Sequence, residues 1–294
     1  LRTYYATRNT VTRIRQKSAD LRHVVQTNLE RARKKYDLQS KQLQGTEGRE
    51  KYKVYGELIN TYGYNLEPGS KELTALNYYT NEEITIPLDP TQTPGENAQR
   101  YFAKYNKQKR TFEALTELIQ ETADDIQYLE SISNALDIAL NEADLAQIKE
   151  ELMQSGYIRR KHTKKKVKLT SKPMHYISSD GYDMYVGKNN LQNEELTFSF
   201  ANGNDWWFHA KGAPGSHVIV KSGGDELPDR TFEEAGRLAA YYSKNRGADK
   251  VEIDYIQKKH VKKPNGAKPG FVVYYTNYSL VIDSDISNIK NVQD

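Results

Sequence analysis

The chain has 294 residues, of which 28% are charged and 37% hydrophobic, with a formal net charge of +4 and no cysteine. That is length for two domains, in a composition too polar for one large core. Disulfides, thiolate zinc sites, iron–sulfur clusters and a cysteine nucleophile are excluded together, which fits a reducing compartment, and no run of about 18 to 20 apolar residues exists to span a membrane as a helix.

The N-terminus lacks the charged-then-apolar pattern of a secretory signal, and the first residue, Leu1, points to a piece of a longer protein. From Val11 the apolar positions step by threes and fours through Ile14, Leu21, Val25, Leu29, Ala32, Tyr36 and Leu43. A second such seam runs through Phe112, Leu115, Ile119, Ile126, Leu129, Leu136 and Leu140. Sustained spacing of this kind predicts coiled-coil helices over 2–44 and 97–141, each about 65 Å long at ~1.5 Å per residue. Residues 1–44 carry a formal +8 and residues 96–158 a formal −6, so the arms attract and an antiparallel hairpin within one chain is expected. Homodimerisation through the same seams is the competing reading, at a higher cost in loop entropy.

Between the arms, 45–95 reads as a small α+β tip. Gly45 to Gly48 breaks the first arm, Arg49 to Tyr62 has a helical pattern, and the period then changes to two. Leu73–Tyr79 and Ile84–Leu88 flank a polar turn at Thr80–Glu83, which predicts a β-hairpin, ended by Pro87, Pro90 and Pro94. A tip rich in tyrosine either makes contacts at a distance or packs itself shut. A further helix is expected over Asn141–Tyr157, stopped by Gly156.

The charge then becomes local. Arg159, Arg160, Lys161, Lys164, Lys165, Lys166 and Lys168 fall within ten residues that hold no acid. Such a tract is a solvated linker that can also lie along a polyanion. After it, 172–294 reads as a mixed α/β domain. A hairpin is expected across Ser179-Asp180-Gly181, because Asp-Gly suits a turn needing positive φ. LTFSF at 196–200 reads as a strand, and Thr231 with Glu234 as a capping box opening a helix to about Arg246. A long strand is expected from Phe271.

The run DWWFHAKGAPGSHVIVK at 205–221 carries most of the chemistry. In an extended strand Trp206, Phe208 and Ala210 face one way, toward a core, while Asp205, Trp207, His209 and Lys211 face the other. With His217 beyond the Pro-Gly break, Trp207, His209 and Lys211 are a set that stacks on a base and pairs with phosphate. A half-buried Trp207 and a His209 bonded to Asp205 are the plain alternatives. The loop 258–270 adds Lys258, Lys259, Lys262, Lys263 and Lys268, stiffened by Pro264 and Pro269. Cations on a stiff loop suit a phosphate backbone, with a solvated turn as the alternative.

The segments SSDGYDMYVGKNNLQNEELTF at 178–198, DWWFHAKGAPGSHVIV at 205–220 and VEIDYIQKKHVKKPNGAKPGFVVYY at 251–275 resemble the NFACT-R domain. With NYYTNEEITIPLDP and NAQRYFAKYNKQKR upstream, the whole chain resembles the C-terminal half of the bacterial RqcH/FbpA family, related to eukaryotic NEMF. The resemblance implies a cytosolic factor that binds obstructed large ribosomal subunits, ribosomal RNA and tRNA and supports alanine tailing of stalled chains. It also implies a second role, as a fibronectin-binding adhesin reaching the cell surface without a signal peptide. The fold implied is α+β, with a coiled-coil stalk over 1–158, a basic linker over 159–171 and an NFACT-R body over 172–294. The family's N-terminal domain is expected to be missing, so no catalytic residue, cofactor or metal is assigned and the fragment is read as no enzyme. A metal-dependent hydrolase using Asp205, His209 and His217 is the remote third reading.

Overall fold

The computed structural model describes residues 12–159 and 170–292. Arg160, Lys161, Lys164, Lys165, Lys166 and Lys168 of the basic tract lie outside the described residues. The chain forms two compact units, one spanning Arg31–Asp125 and the other joining the residues up to Glu30 to those from Ile126 onward.

The fold is mixed α+β. Helix α1 (Ala19–Gln44) is followed by α2 (Glu50–Tyr62) and a hairpin of β1 (Glu72–Asn77) and β2 (Glu82–Pro87). Next comes the 45-residue α3 (Pro94–Ile138), then α4 (Glu142–Gln154). Within the larger unit the start of α1 packs against the end of α3 in antiparallel sense. Leu21, Val25 and Leu29 are buried, as are Leu129, Ile132 and Leu136. Arg22 donates to the Asp137 carboxylate (2.7 Å) and to the Leu136 carbonyl (2.7 Å). Lys17 pairs with Glu142.

In the smaller unit, Leu58 and Ile59 of α2, Leu73 and Ala75 of β1, Ile86 of β2 and Tyr101 of α3 form one core. The hairpin turn sits two residues earlier than expected, since Asn81 takes the positive φ of 61° and Glu82 already pairs with Asn77. Thr93 and Glu96 cap α3 reciprocally: the Thr93 N–H donates to Glu96 Oε2 (2.7 Å) and the Glu96 N–H to Thr93 Oγ1 (3.2 Å).

The rest of the larger unit is an antiparallel seven-stranded sheet, β3 (Met174–Ile177), β4 (Asp183–Val186), β5 (Trp206–Ala210), β6 (Val218–Val220), β7 (Val251–Gln257), β8 (Tyr278–Ile282) and β9 (Lys290–Asn291). Its spatial order is β8-β7-β5-β6-β4-β3-β9. The expected β3–β4 hairpin forms, with Gly181 at φ 89°. Helix α5 (Asn190–Glu195) is capped by the Asn189 side chain, and α6 (Asp229–Tyr241) covers one sheet face through Ala235, Leu238 and Ala239.

Three expected elements differ. LTFSF is a π-helical turn continuing α5, because it has no strand to pair with and its Leu196 is needed against Trp207. Thr231 and Glu234 are both buried and do not box the helix start. The Thr231 hydroxyl donates to Ser178 and Asp180, and the Glu234 carboxylate accepts from Ser179, so they clamp α6 to the β3–β4 turn. The strand expected from Phe271 begins only at Tyr278. Before it, Val273 makes a single bridge to Lys262.

Candidate nucleic-acid interface

Alternation along β5 divides its side chains as the sequence predicts, but both faces are covered. Phe208 and Ala210 lie in the core beneath α6. Trp207 lies in a second core with Leu196, Ala201, Ile219, Ile256 and Val261 and is 0% exposed. Trp207 is therefore not offered on an open surface, because the α5–π segment and the stretch after Val261 close over that face; the indole reaches only the wall of a cleft. His217 is 2% exposed, and His209 is half-buried.

The three rings form one cluster. His209 stacks on Trp207 (5.6 Å between centroids, 16° between planes) and meets His217 edge-on at 5.5 Å. His217 Nδ1 bonds the Thr197 hydroxyl (2.8 Å), and its backbone N–H donates to Asn193 Oδ1 (3.0 Å). Loss of water pushes the His209 pKa down to about 4 and holds His217 well below the usual imidazole range. Both are neutral at pH 7.

Asp205 is not part of that cluster. Its carboxylate accepts from Lys221 Nζ (2.5 Å) and from the Asn202 and Ser222 backbone N–H groups. It stands four residues from His209, about 13 Å along an extended strand at ~3.3 Å per residue. No group of three metal-ligating side chains occurs among the described residues. The Asp205/His209/His217 set thus has neither the convergence nor the free carboxylate that a hydrolytic metal needs.

Lys211 is exposed and paired with Glu252 (2.6 Å). The cationic loop is fixed at several points. The Lys258 N–H donates to Asp205 O (2.8 Å) and the Lys259 N–H to Gly203 O (3.0 Å). Lys262 pairs by backbone with Val273, and Lys263 Nζ meets Glu194 (2.7 Å). Glu194 also accepts from the Gly270 N–H (3.1 Å), and Gly266 and Gly270 take φ 73° and 77°, which a side chain would strain. Lys259, His260, Lys262 and Lys263 are exposed, while Lys258 and Lys268 are half-buried. The Lys268 ammonium lies 4.9 Å from the Tyr128 ring centre. Arg159 is exposed.

The loop's far end, Pro269–Phe271, walls a cleft of about 180 Å³ that also takes His209, His217 and the Gly212–Gly215 turn. Sequence reasoning missed other walls, among them Tyr128 and Ser131 of α3 and Asn190 of α5, because they come from distant elements. It also missed the polar seam behind them. Lys188 and Asp144 form a buried ion pair (2.6 Å), Asn189 donates to Gln147 (2.9 Å), and Asn190 donates to Glu151 (2.8 Å). Burial lifts the Glu151 pKa to about 7, against the donors Asn190 and Tyr128. The only signal in the sequence was the polar stripe Asp144, Gln147, Glu151 beside the apolar Leu145, Ile148, Leu152 on α4.

Residues 1–171 match the family described as NFACT N-terminal and middle domains, and residues 172–275 the NFACT protein RNA binding domain. The chain is 41% identical over its full length to a protein of Streptococcus pneumoniae serotype 2 (strain D39) described as Rqc2 homolog RqcH, covering 53% of that protein. It is 38% identical over 94% of its length to the protein of the same description from Bacillus subtilis (strain 168), covering 49%. It therefore spans about half the length of these curated relatives. A solved structure, the C-terminal part of the fibronectin/fibrinogen-binding protein from Streptococcus suis, aligns with a TM-score of 0.74 at 37% identity, over 95% of this chain and 99% of that one.

Proposed function

The chain belongs to the NFACT family and includes its RNA-binding domain, and from that premise we propose that it is the RNA-gripping half of a ribosome-associated quality-control factor. In this reading 1–158 is a stalk, 159–171 a basic linker and 172–294 the RNA-binding body. The stalk and body hold the factor on obstructed large ribosomal subunits, where it touches ribosomal RNA and tRNA while stalled chains receive alanine tails. The chain contributes binding rather than bond chemistry, and it works in the cytoplasm, where ribosomes are.

The observation that supports the reading best is the loop from Lys258 to Lys268. It carries Lys259, Lys262 and Lys263 exposed, and Glu194 and two positive-φ glycines hold its backbone in one shape. A cation held in place keeps its reach to a phosphate without the ordering cost of a floppy lysine loop. Co-sedimentation with large ribosomal subunits across a salt series tests it. Binding is expected to fall steeply with salt, and to weaken sharply when Lys262→Glu is combined with Lys263→Glu. A salt-independent association overturns the reading.

The second reading, a fibronectin-binding adhesin, draws on the name of the Streptococcus suis neighbour. It requires binding to immobilised fibronectin at physiological salt that exceeds a charge-matched control protein. No helix among the described residues is long and apolar enough to cross a membrane.

A further inference from the structure

The cleft beside the cationic loop has an unusual lining for a protein surface this rich in charge. No Lys, Arg, Asp or Glu side chain lines it, and its two imidazoles are neutral. Its walls are aromatic rings, Tyr128, Trp207, Phe271 and Tyr274, interleaved with polar edges from His209 and Asn190. The buried Trp207 Nε1–H has no hydrogen-bond acceptor, although a buried donor normally finds one.

The rims are rigid. A β-carbon at Gly270 would come within 2.9 Å of Asn190 Oδ1, and one at Gly215 within 3.0 Å of the Ser243 β-carbon, so backbone packs directly on neighbouring elements at both places. At about 180 Å³ the cleft is smaller than the ~300–1,000 Å³ of sites for drug-sized ligands. It suits a single flat ring system.

A lining without charge rejects a phosphate or a carboxylate, whose desolvation nothing there would offset. Aromatic walls and uncharged donors and acceptors are what a heteroaromatic base meets when it leaves its stack. The charges sit just outside, where Lys268 and Lys263 belong to the loop whose end forms the wall. We propose that this cleft takes one unstacked nucleobase of a single RNA strand, with the flanking phosphates on the Lys258–Lys268 loop. The proposal rests on the RNA-binding reading and adds to it the place where a base, rather than the backbone, is held.

The test compares two 12-residue oligomers of equal charge at one salt concentration, oligoadenylate and its abasic ribose-phosphate counterpart, by fluorescence anisotropy with the whole chain. A stacked, hydrogen-bonded base gives roughly tenfold tighter binding of the base-bearing oligomer. Ser131→Leu, which fills the cleft from α3, is expected to bring that ratio to about one while the salt dependence stays. The chain has two tryptophans, and an indole-labelled NMR spectrum of the unmutated protein reports on each. The Trp207 N–H resonance is expected to move with oligoadenylate and not with the abasic strand, while Trp206, on the opposite sheet face, stays.

Equal affinity for the two oligomers overturns the cleft and leaves phosphate-driven RNA binding standing. So does a base preference with an unmoved Trp207 resonance, which would mean that bases stack elsewhere. Failure of both oligomers to bind removes the RNA-binding reading itself. If Ser131→Leu does not fold, the Trp207 resonance decides.

Discussion

Gly56, in α2, has the Phe102 ring where a side chain would begin: a β-carbon there would lie 2.7 Å from Cζ. Alanine gains about 1 kcal/mol of helix propensity over glycine, but overpacking a filled core costs about 1–3 kcal/mol. Gly56→Ala is therefore expected to lower the melting temperature of the smaller unit. Gly95→Ala, where an added β-carbon would meet no atom within 4 Å outside its chain neighbours and its own helix backbone, is the control and is expected to raise it slightly in the same calorimetric scan. Glu151 makes the second residue-level prediction. An acid whose folded pKa is raised keeps its proton in the native state after the unfolded chain has lost it. Its stabilising share is complete below the ordinary carboxylate value near pH 4.5 and is lost as the pH rises through about 7. His217, buried, and His209, half-buried, act oppositely. The depressed His209 pKa gives a share that is complete above about pH 6.5 and is lost as the pH falls toward 4, and the depressed His217 pKa acts in the same sense. Glu151→Gln keeps an acceptor for Asn190 and removes only the acid. The variant is expected to gain on the wild type between pH 5 and pH 8, by about 3 kcal/mol at most, read from urea midpoints at the two pH values. An unchanged difference would mean that the carboxyl is solvated.

At the scale of elements, the polar seam between α4 and α5 is the least expected feature and the most sensitive to single changes. Lys188 and Asp144 are both buried, and the Asp144 carboxylate also accepts from the Leu140 N–H (2.8 Å) and the Ser171 hydroxyl (2.6 Å). Removing one partner of a buried pair leaves the other charged and unpaired, at a cost of about 3–5 kcal/mol, whereas removing both charges often costs little. Lys188→Met is expected to show that loss in equilibrium unfolding, and adding Asp144→Asn to recover part of it. The elements that the sequence made legible are those decided within a few residues: the buried spacing Leu21, Val25, Leu29 of α1 and Leu129, Leu136 of α3, though Tyr36 and Leu140 of the expected seams are exposed, the Asp180-Gly181 turn and the Gly156 stop. LTFSF and the stretch after Phe271 carry the same alternation as true strands, but strand pairing depends on a free neighbouring edge, which no local pattern contains. Trp207 shows the same limit. Its face was correctly opposed to Phe208, yet only the tertiary arrangement shows that a second layer covers it. The cleft was half visible, because its β5 and loop walls lie in two conspicuous motifs while its α3 and α5 walls lie far off in the chain.

At the scale of the molecule, the formal charge of +4 hides local concentrations of cations, among them the 159–168 tract and the loop from Lys258 to Lys268. If both lie along one polyanion, their counterion release adds, and the salt dependence separates them without any need to know the RNA. Each phosphate neutralised on a single strand contributes about 0.7 to the slope of log K against log salt. Reversing Lys262 and Lys263 removes about two contacts' worth of slope. Replacing Arg160, Lys161, Lys164, Lys165, Lys166 and Lys168 by serine is expected to lower the slope by at least as much again, and the combined variant to lose the sum, since sites without shared partners add. Titrations at four or five salt concentrations with large ribosomal subunits measure this. A slope left unchanged by the serine variant assigns the tract to a tether alone. A slope that falls with the tract but not with the loop reversal would move the electrostatic contact out of the body altogether, since Lys263 already has Glu194 as its counterion and would then have no second one to displace.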